Sequence, residues 1–175
     1  MKTILSRLAM AFAVACTAVA FCGAVQAKDA ARYETGPLLG ISGGFFDSVQ
    51  LEDPAVEGRL EYRQNNDWWF KPLAGVTANT EGGVFLHVGL YSEIFLTENL
   101  YVSPSFSPGV FLRGQSKNLG HPIEFRSQIE VGWRFGNGVR TSVSFNHISN
   151  AGSGRRNPGT ESAVISLLIP FSVLF

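Results

Sequence analysis

Three residues in the last third of the chain, His147, Ser149 and Glu161, are of the types that acyl transfer requires. A serine hydroxyl becomes a useful nucleophile when a histidine takes its proton. A carboxylate then orients that histidine and stabilises the imidazolium. His-x-Ser by itself arises often by chance, and an ordinary pair of polar groups at a membrane interface would look the same. The spacing acquires meaning only from the elements that hold the three side chains.

The first element is a leader. Lys2 and Arg7 precede an apolar run over residues 8–25 that ends in Val25-Gln26-Ala27, which reads as a secretory signal peptide over residues 1–27. Residues 28–175 then form one domain of ordinary size. Cys16 and Cys22 both fall inside the leader, so the mature chain has no thiol for a disulfide or a thiolate metal site. The chain has 14 basic and 14 acidic residues, so no field of one sign points to nucleic acid. No apolar stretch of the mature part approaches the roughly 20 residues of a membrane helix. To span a membrane it must close into a barrel, which satisfies every backbone polar group in lipid.

Period-two alternation divides the mature chain into eight segments, 36–46, 55–63, 68–78, 83–92, 99–113, 122–135, 138–149 and 161–175. In the second, Val56, Gly58, Leu60 and Tyr62 share one face and Glu57, Arg59, Glu61 and Arg63 the other. In the sixth, Phe125, Ile129, Val131, Trp133 and Phe135 oppose Arg126, Gln128, Glu130 and Arg134. A soluble barrel alternates too, with the apolar face inside. Export and the aromatic residues near segment ends (Tyr33, Trp68, Trp69, Tyr101, Trp133) favour a membrane barrel with an interfacial girdle. A last segment ending in Phe175 points the same way. The expected fold is therefore an all-β, eight-stranded antiparallel transmembrane barrel of outer-membrane type, with Arg59, Glu61, Arg126, Glu130 and Arg134 filling its interior.

Gly136-Asn137-Gly138 reads as the tightest turn, and short turns belong to the periplasmic side. The seventh segment then runs outward and ends at Ser149 beside an extracellular loop over residues 150–160. Val143, Phe145, His147 and Ser149 share its apolar face, and Glu161 has the parity of the apolar row Ile165, Leu167, Ile169, Phe171, Val173, Phe175. All three candidate residues should therefore project outward near the external leaflet. A polar group aimed at lipid is costly without a partner, which marks it as a functional candidate. His87 falls with Tyr91 on the interior face, and His121 in a loop.

Residues 119–171 resemble the lipid A 3-O-deacylases of the PagL family. The likeness is clearest in Phe145-Asn146-His147-Ile148-Ser149-Asn150-Ala151-Gly152, in the carboxylate Glu161 fourteen residues after the histidine, and in Ile-Pro-Phe near the C-terminus. The resemblance implies that Ser149 is the nucleophile, His147 the base and then the acid, and Glu161 the orienting carboxylate. It also implies an oxyanion hole from Asn150 and the Gly152 N–H, no metal and no cofactor, and lipid A of lipopolysaccharide as the substrate. The chain would sit in the outer membrane of a Gram-negative bacterium, among its lipids. Arg155 and Arg156, just beyond the site, could meet lipid A phosphates, or be solvated loop charges. Two other readings stay open: a non-enzymatic barrel for adhesion or envelope integrity, and an outer-membrane phospholipase. Glu161 and the short chain weigh against the latter.

Overall fold

The computed structural model describes residues 36–175, so the segment expected to be a leader, both cysteines and Tyr33 lie outside the described residues. The strands are β1 (Leu38–Phe46), β2 (Ala55–Arg63), β3 (Lys71–Asn79), β4 (Val84–Tyr91), β5 (Ile94–Phe95), β6 (Leu100–Leu112), β7 (Ile123–Arg134), β8 (Arg140–Ser149) and β9 (Thr160–Pro170), followed by one helical turn, α1 (Phe171–Leu174). Each long strand pairs antiparallel with its neighbours. β4 passes over the two-residue β5 to pair with β6, and β9 returns to β1, so eight strands close a barrel. β5 only caps the foot of β6. The β4–β6 ladder skips Val88 and Gly89, opposite Pro108, which has no N–H to contribute.

The wall is inverted relative to a soluble protein. Val56, Leu60, Val131, Val143, Phe145 and Ile165 are exposed on the outside, while Glu57, Arg59, Glu61, Arg63, Arg126, Gln128, Glu130 and Arg134 are buried inside. The interior charges neutralise one another: Arg63 pairs with Glu61 and Glu130, each at 2.8 Å, and Arg126 with Glu61 at 2.8 Å. Arg59 donates to Gln128 at 2.7 Å. Such a lumen under an apolar outer belt is the arrangement that lipid selects.

The two ends of the barrel differ. One carries the loops after β1, β3, β6 and β8, and the other the turns and α1. Inside the loop end an apolar plug of Phe46, Ala55, Phe85, Phe111, Leu119 and Ile148 closes the lumen. At the turn end Trp68, Trp69, Phe70, Trp133 and Phe135 are exposed as a girdle.

Three expectations are corrected. Tyr101 does not join the girdle: it is fully buried and its hydroxyl donates to Glu130 at 3.0 Å inside the lumen. The last strand does not reach Phe175. It stops at Pro170, and Phe171 turns back, its N–H donating to the Pro37 carbonyl and its ring packing edge-on against Tyr62. Phe171, Val173 and Phe175 therefore leave the row of Ile165, Leu167 and Ile169. The Gly136-Asn137-Gly138 turn is not the tightest either, since residues 80–83 join β3 to β4 with fewer residues at the loop end.

Candidate active site on the outer wall

β8 and β9 place the candidate residues by register. His147 lies directly opposite Glu161, and the even-numbered neighbours Asn146 and Ile148 point inward. Ile148 belongs to the apolar plug, so packing inside the barrel fixes the strand that carries His147 and Ser149 outside it. His147 Nδ1 stands 2.9 Å from Glu161 Oε1, with the two side chains 47% and 17% exposed. With the ring proton on Nδ1 facing the carboxylate, Nε2 is left as a proton acceptor. Ser149, half-buried at the end of β8, shares the same outer face two residues on. That separation is about 6.5–7 Å between Cα atoms. Among the described residues no hydrogen bond joins its hydroxyl to His147. Catalytic hydrogen bonds are often long in the free enzyme and tighten around the substrate.

Gly159 supplies the other side of the imidazole. Its φ is +68°, and a Cβ there would lie 2.8 Å from His147 Cε1, so only glycine admits this approach. Glu161 is held from the loop after β1. Its carbonyl accepts the Ser48 N–H at 2.9 Å and the Ser48 hydroxyl at 3.2 Å, and Gln50 Nε2 stands 3.5 Å from its Oε2.

Asn150 and Gly152, the oxyanion donors expected from the resemblance, are bonded within the loop after β8. Asn150 is 0% exposed. Its amide donates to the Leu119 and Arg156 carbonyls, both at 2.8 Å, its N–H donates to Asn157 Oδ1 at 3.0 Å, and its Oδ1 accepts the Gly152 N–H at 3.0 Å. In this arrangement both residues build the loop after β8. Among the donors this loop leaves without a partner in the described residues are the Ala151 N–H and the Asn157 side-chain amide. Ala151 is held at φ +52°. Arg155 and Arg156 are exposed, and the Arg156 side chain lines an open cleft at the loop end with Arg113, Asn118 and Asn157. Among the described residues no group of three or more His, Cys, Asp or Glu is disposed to hold a metal ion.

Sequence reasoning missed Ser48, Gln50, Asn157 and Gly159. Only Gly159 left a local trace, as a glycine closing the loop before β9. The others reach the site from loops that no period-two pattern describes.

A family model described as lipid A 3-O-deacylase (PagL) matches residues 48–170. The crystal structure of the outer membrane enzyme PagL superposes with a TM-score of 0.65 at 25% identity, covering 76% of this chain and 99% of that one. A structure from the de novo design of transmembrane β-barrels superposes with a TM-score of 0.56 at 11% identity, over 79% of this chain and 98% of its own, and shares the fold alone. No curated protein sequence matches the chain. With the match spanning most of the barrel and the whole of β8 and β9, the chain belongs to the lipid A 3-O-deacylase (PagL) family.

Proposed function

We propose that the chain removes the 3-hydroxyacyl group esterified at position 3 of lipid A, working from the outer wall of the barrel at the external leaflet of the outer membrane. Ser149 is the nucleophile, His147 the proton carrier and Glu161 its orienting carboxylate. The observation that carries the reading is the 2.9 Å contact between His147 and Glu161 on a largely apolar wall, beside a half-exposed serine on the same face. A substrate that is already a membrane lipid meets such a site by lateral diffusion and needs no internal pocket. The lumen can then be filled with paired charges.

In this mechanism Ser149 Oγ attacks the ester carbonyl as its proton passes to His147 Nε2. The carbonyl C=O becomes a tetrahedral oxyanion. Collapse breaks the bond to the sugar oxygen, which takes the proton from His147, and leaves an acyl-serine. Water then attacks the acyl-serine as His147 removes its proton; the second tetrahedral intermediate collapses, Ser149 Oγ leaves and takes that proton from His147, and the 3-hydroxy fatty acid is released. Donors aimed at the oxyanion contribute about 3 kcal/mol each. The Ala151 N–H and the Asn157 amide, in the loop that follows Ser149 and without partners among the described residues, would supply them. Arg155 and Arg156, exposed in the same loop, would meet the lipid A phosphates.

Mass spectrometry of lipid A incubated with the purified barrel tests this. Loss of one 3-hydroxyacyl chain from position 3, with the free acid recovered and no loss with Ser149→Ala, is the expected result. Turnover of glycerophospholipids with lipid A untouched would make the protein a phospholipase. An unchanged lipid pool would favour a barrel without enzymatic activity.

A further inference from the structure

Building on the proposed hydrolysis, we propose that Gln50 is a positioning residue: held by Lys117, it fixes the second carboxylate oxygen of Glu161 and so the direction in which His147 points. A terminal carboxylate torsion is broad and roughly two-fold, so one hydrogen bond leaves the group free to swing. His147 takes Oε1 of Glu161, and Oε2 faces Gln50 Nε2 at 3.5 Å. That contact is long, and its strength depends on what holds the amide. The Gln50 carbonyl accepts from Lys117 Nζ at 2.6 Å, which fixes its orientation and polarises its N–H groups toward Glu161.

Lys117 is itself anchored. It lies in the loop between β6 and β7, almost wholly buried, and its ammonium pairs with Asp47 at 2.8 Å and Glu52 at 3.1 Å. Asp47 is fully buried, and its carboxylate also receives the N–H groups of Glu52 and Asp53 and the Thr160 hydroxyl. Asp47 has φ +54°, a conformation uncommon outside glycine. The residue after it, Ser48, holds the Glu161 main chain, and Thr160 is the residue before Glu161. Residues 47–50 thus grip Glu161 through its backbone and its carboxylate at once. Three segments distant in sequence converge on the one group that must aim the histidine.

The test compares Gln50→Ala with Gln50→Glu. The glutamate keeps the shape and strengthens the tie to Lys117, but it replaces the donor facing Glu161 with an acceptor. A residue that only braces the loop would therefore tolerate Gln50→Glu and lose stability with Gln50→Ala. A positioning residue loses activity in both. The expected outcome is a fall in kcat of about 10- to 100-fold for each variant, the scale of a small misplacement of reacting groups, with KM on micellar lipid A within about twofold and heat-modifiable gel migration unchanged. Wild-type kcat for Gln50→Glu, with Ser149→Ala inactive, overturns this proposal and leaves the catalytic reading intact. Retained turnover by Ser149→Ala would bring down both.

Discussion

The lumen and the outer wall of this barrel both set carboxylates beside basic side chains, and they do so for opposite ends. Inside, Glu61, Arg63, Arg126 and Glu130 interlock at 2.8 Å contacts, with no side chain more than 4% exposed. Outside, the His147–Glu161 pair is as short, at 2.9 Å, but the histidine is about half exposed. Its other ring nitrogen makes no hydrogen bond among the described residues. Interior charges neutralise one another and leave the surface apolar. The wall pair leaves one proton-accepting atom uncommitted beside a serine.

Breaking each region separately should give the largest contrast. Ser149→Ala and His147→Ala should each lower deacylation by at least about a thousandfold, with the barrel still heat-modifiable on a gel. Arg126→Met should do the reverse. It leaves Glu61 short of a buried partner, which costs about 3–5 kcal/mol of stability, while the folded fraction still deacylates lipid A. Comparable activity losses from both sets would erase the division between wall and lumen.

Glu161→Ala should cost less than loss of the nucleophile or base, because an orienting carboxylate acts through the histidine. A kcat ratio between Glu161→Ala and Ser149→Ala measures this directly. Gly159→Ala sharpens the comparison further. Its new Cβ would press on His147 Cε1 from 2.8 Å at a left-handed backbone position, and a displaced imidazole should lower kcat about 10- to 100-fold. Gly136→Ala, where a Cβ meets nothing within 4 Å, should match the wild type in the same assay.

The smallest effect concerns acid. Burial alone would raise the Asp47 carboxyl. The Lys117 hydrogen bond, the Asp53 and Glu52 N–H groups and the Lys117 charge outweigh it and hold Asp47 below its usual range. A carboxyl lowered in the folded protein stabilises it above the unfolded value and loses that contribution as pH falls through the folded one. Burial works against the Lys117 ammonium, but its hydrogen bonds to Asp47 and Glu52 raise it overall, so its contribution is lost only in strong alkali. Hydrogen exchange of residues 47–53 should therefore be flat, once corrected for intrinsic rates, from about pH 5 to 9, and loosen only below about pH 4.

How far the fold was legible from residue types follows from period. β2 and β7 alternate strictly, so their spans and faces could be read directly, and the lipid-facing parity of His147, Ser149 and Glu161 came with them. Pro170 ended β9 early because the chain turns back onto Pro37 and Tyr62, contacts more than 100 residues away in sequence. Tyr101 looked like a girdle residue by its place near a segment end, but its parity put it inside. Asn150 follows Ser149 in sequence, yet the loop after β8 folds it inward as a bracket. The grip on Glu161 from Asp47, Gln50 and Lys117 left no local signal, because it depends on loops brought together only when the barrel closes.

Covalent capture of the nucleophile tests the central claim most directly. A long-chain alkyl phosphonate ester, presented in micelles, should phosphonylate Ser149 with the stoichiometry of active protein, and the adduct should map to the peptide containing Ser149. Labelling should vanish with Ser149→Ala and slow sharply with His147→Ala. An adduct on another residue, or equal labelling of Ser149→Ala, would contradict a serine nucleophile on the outer wall.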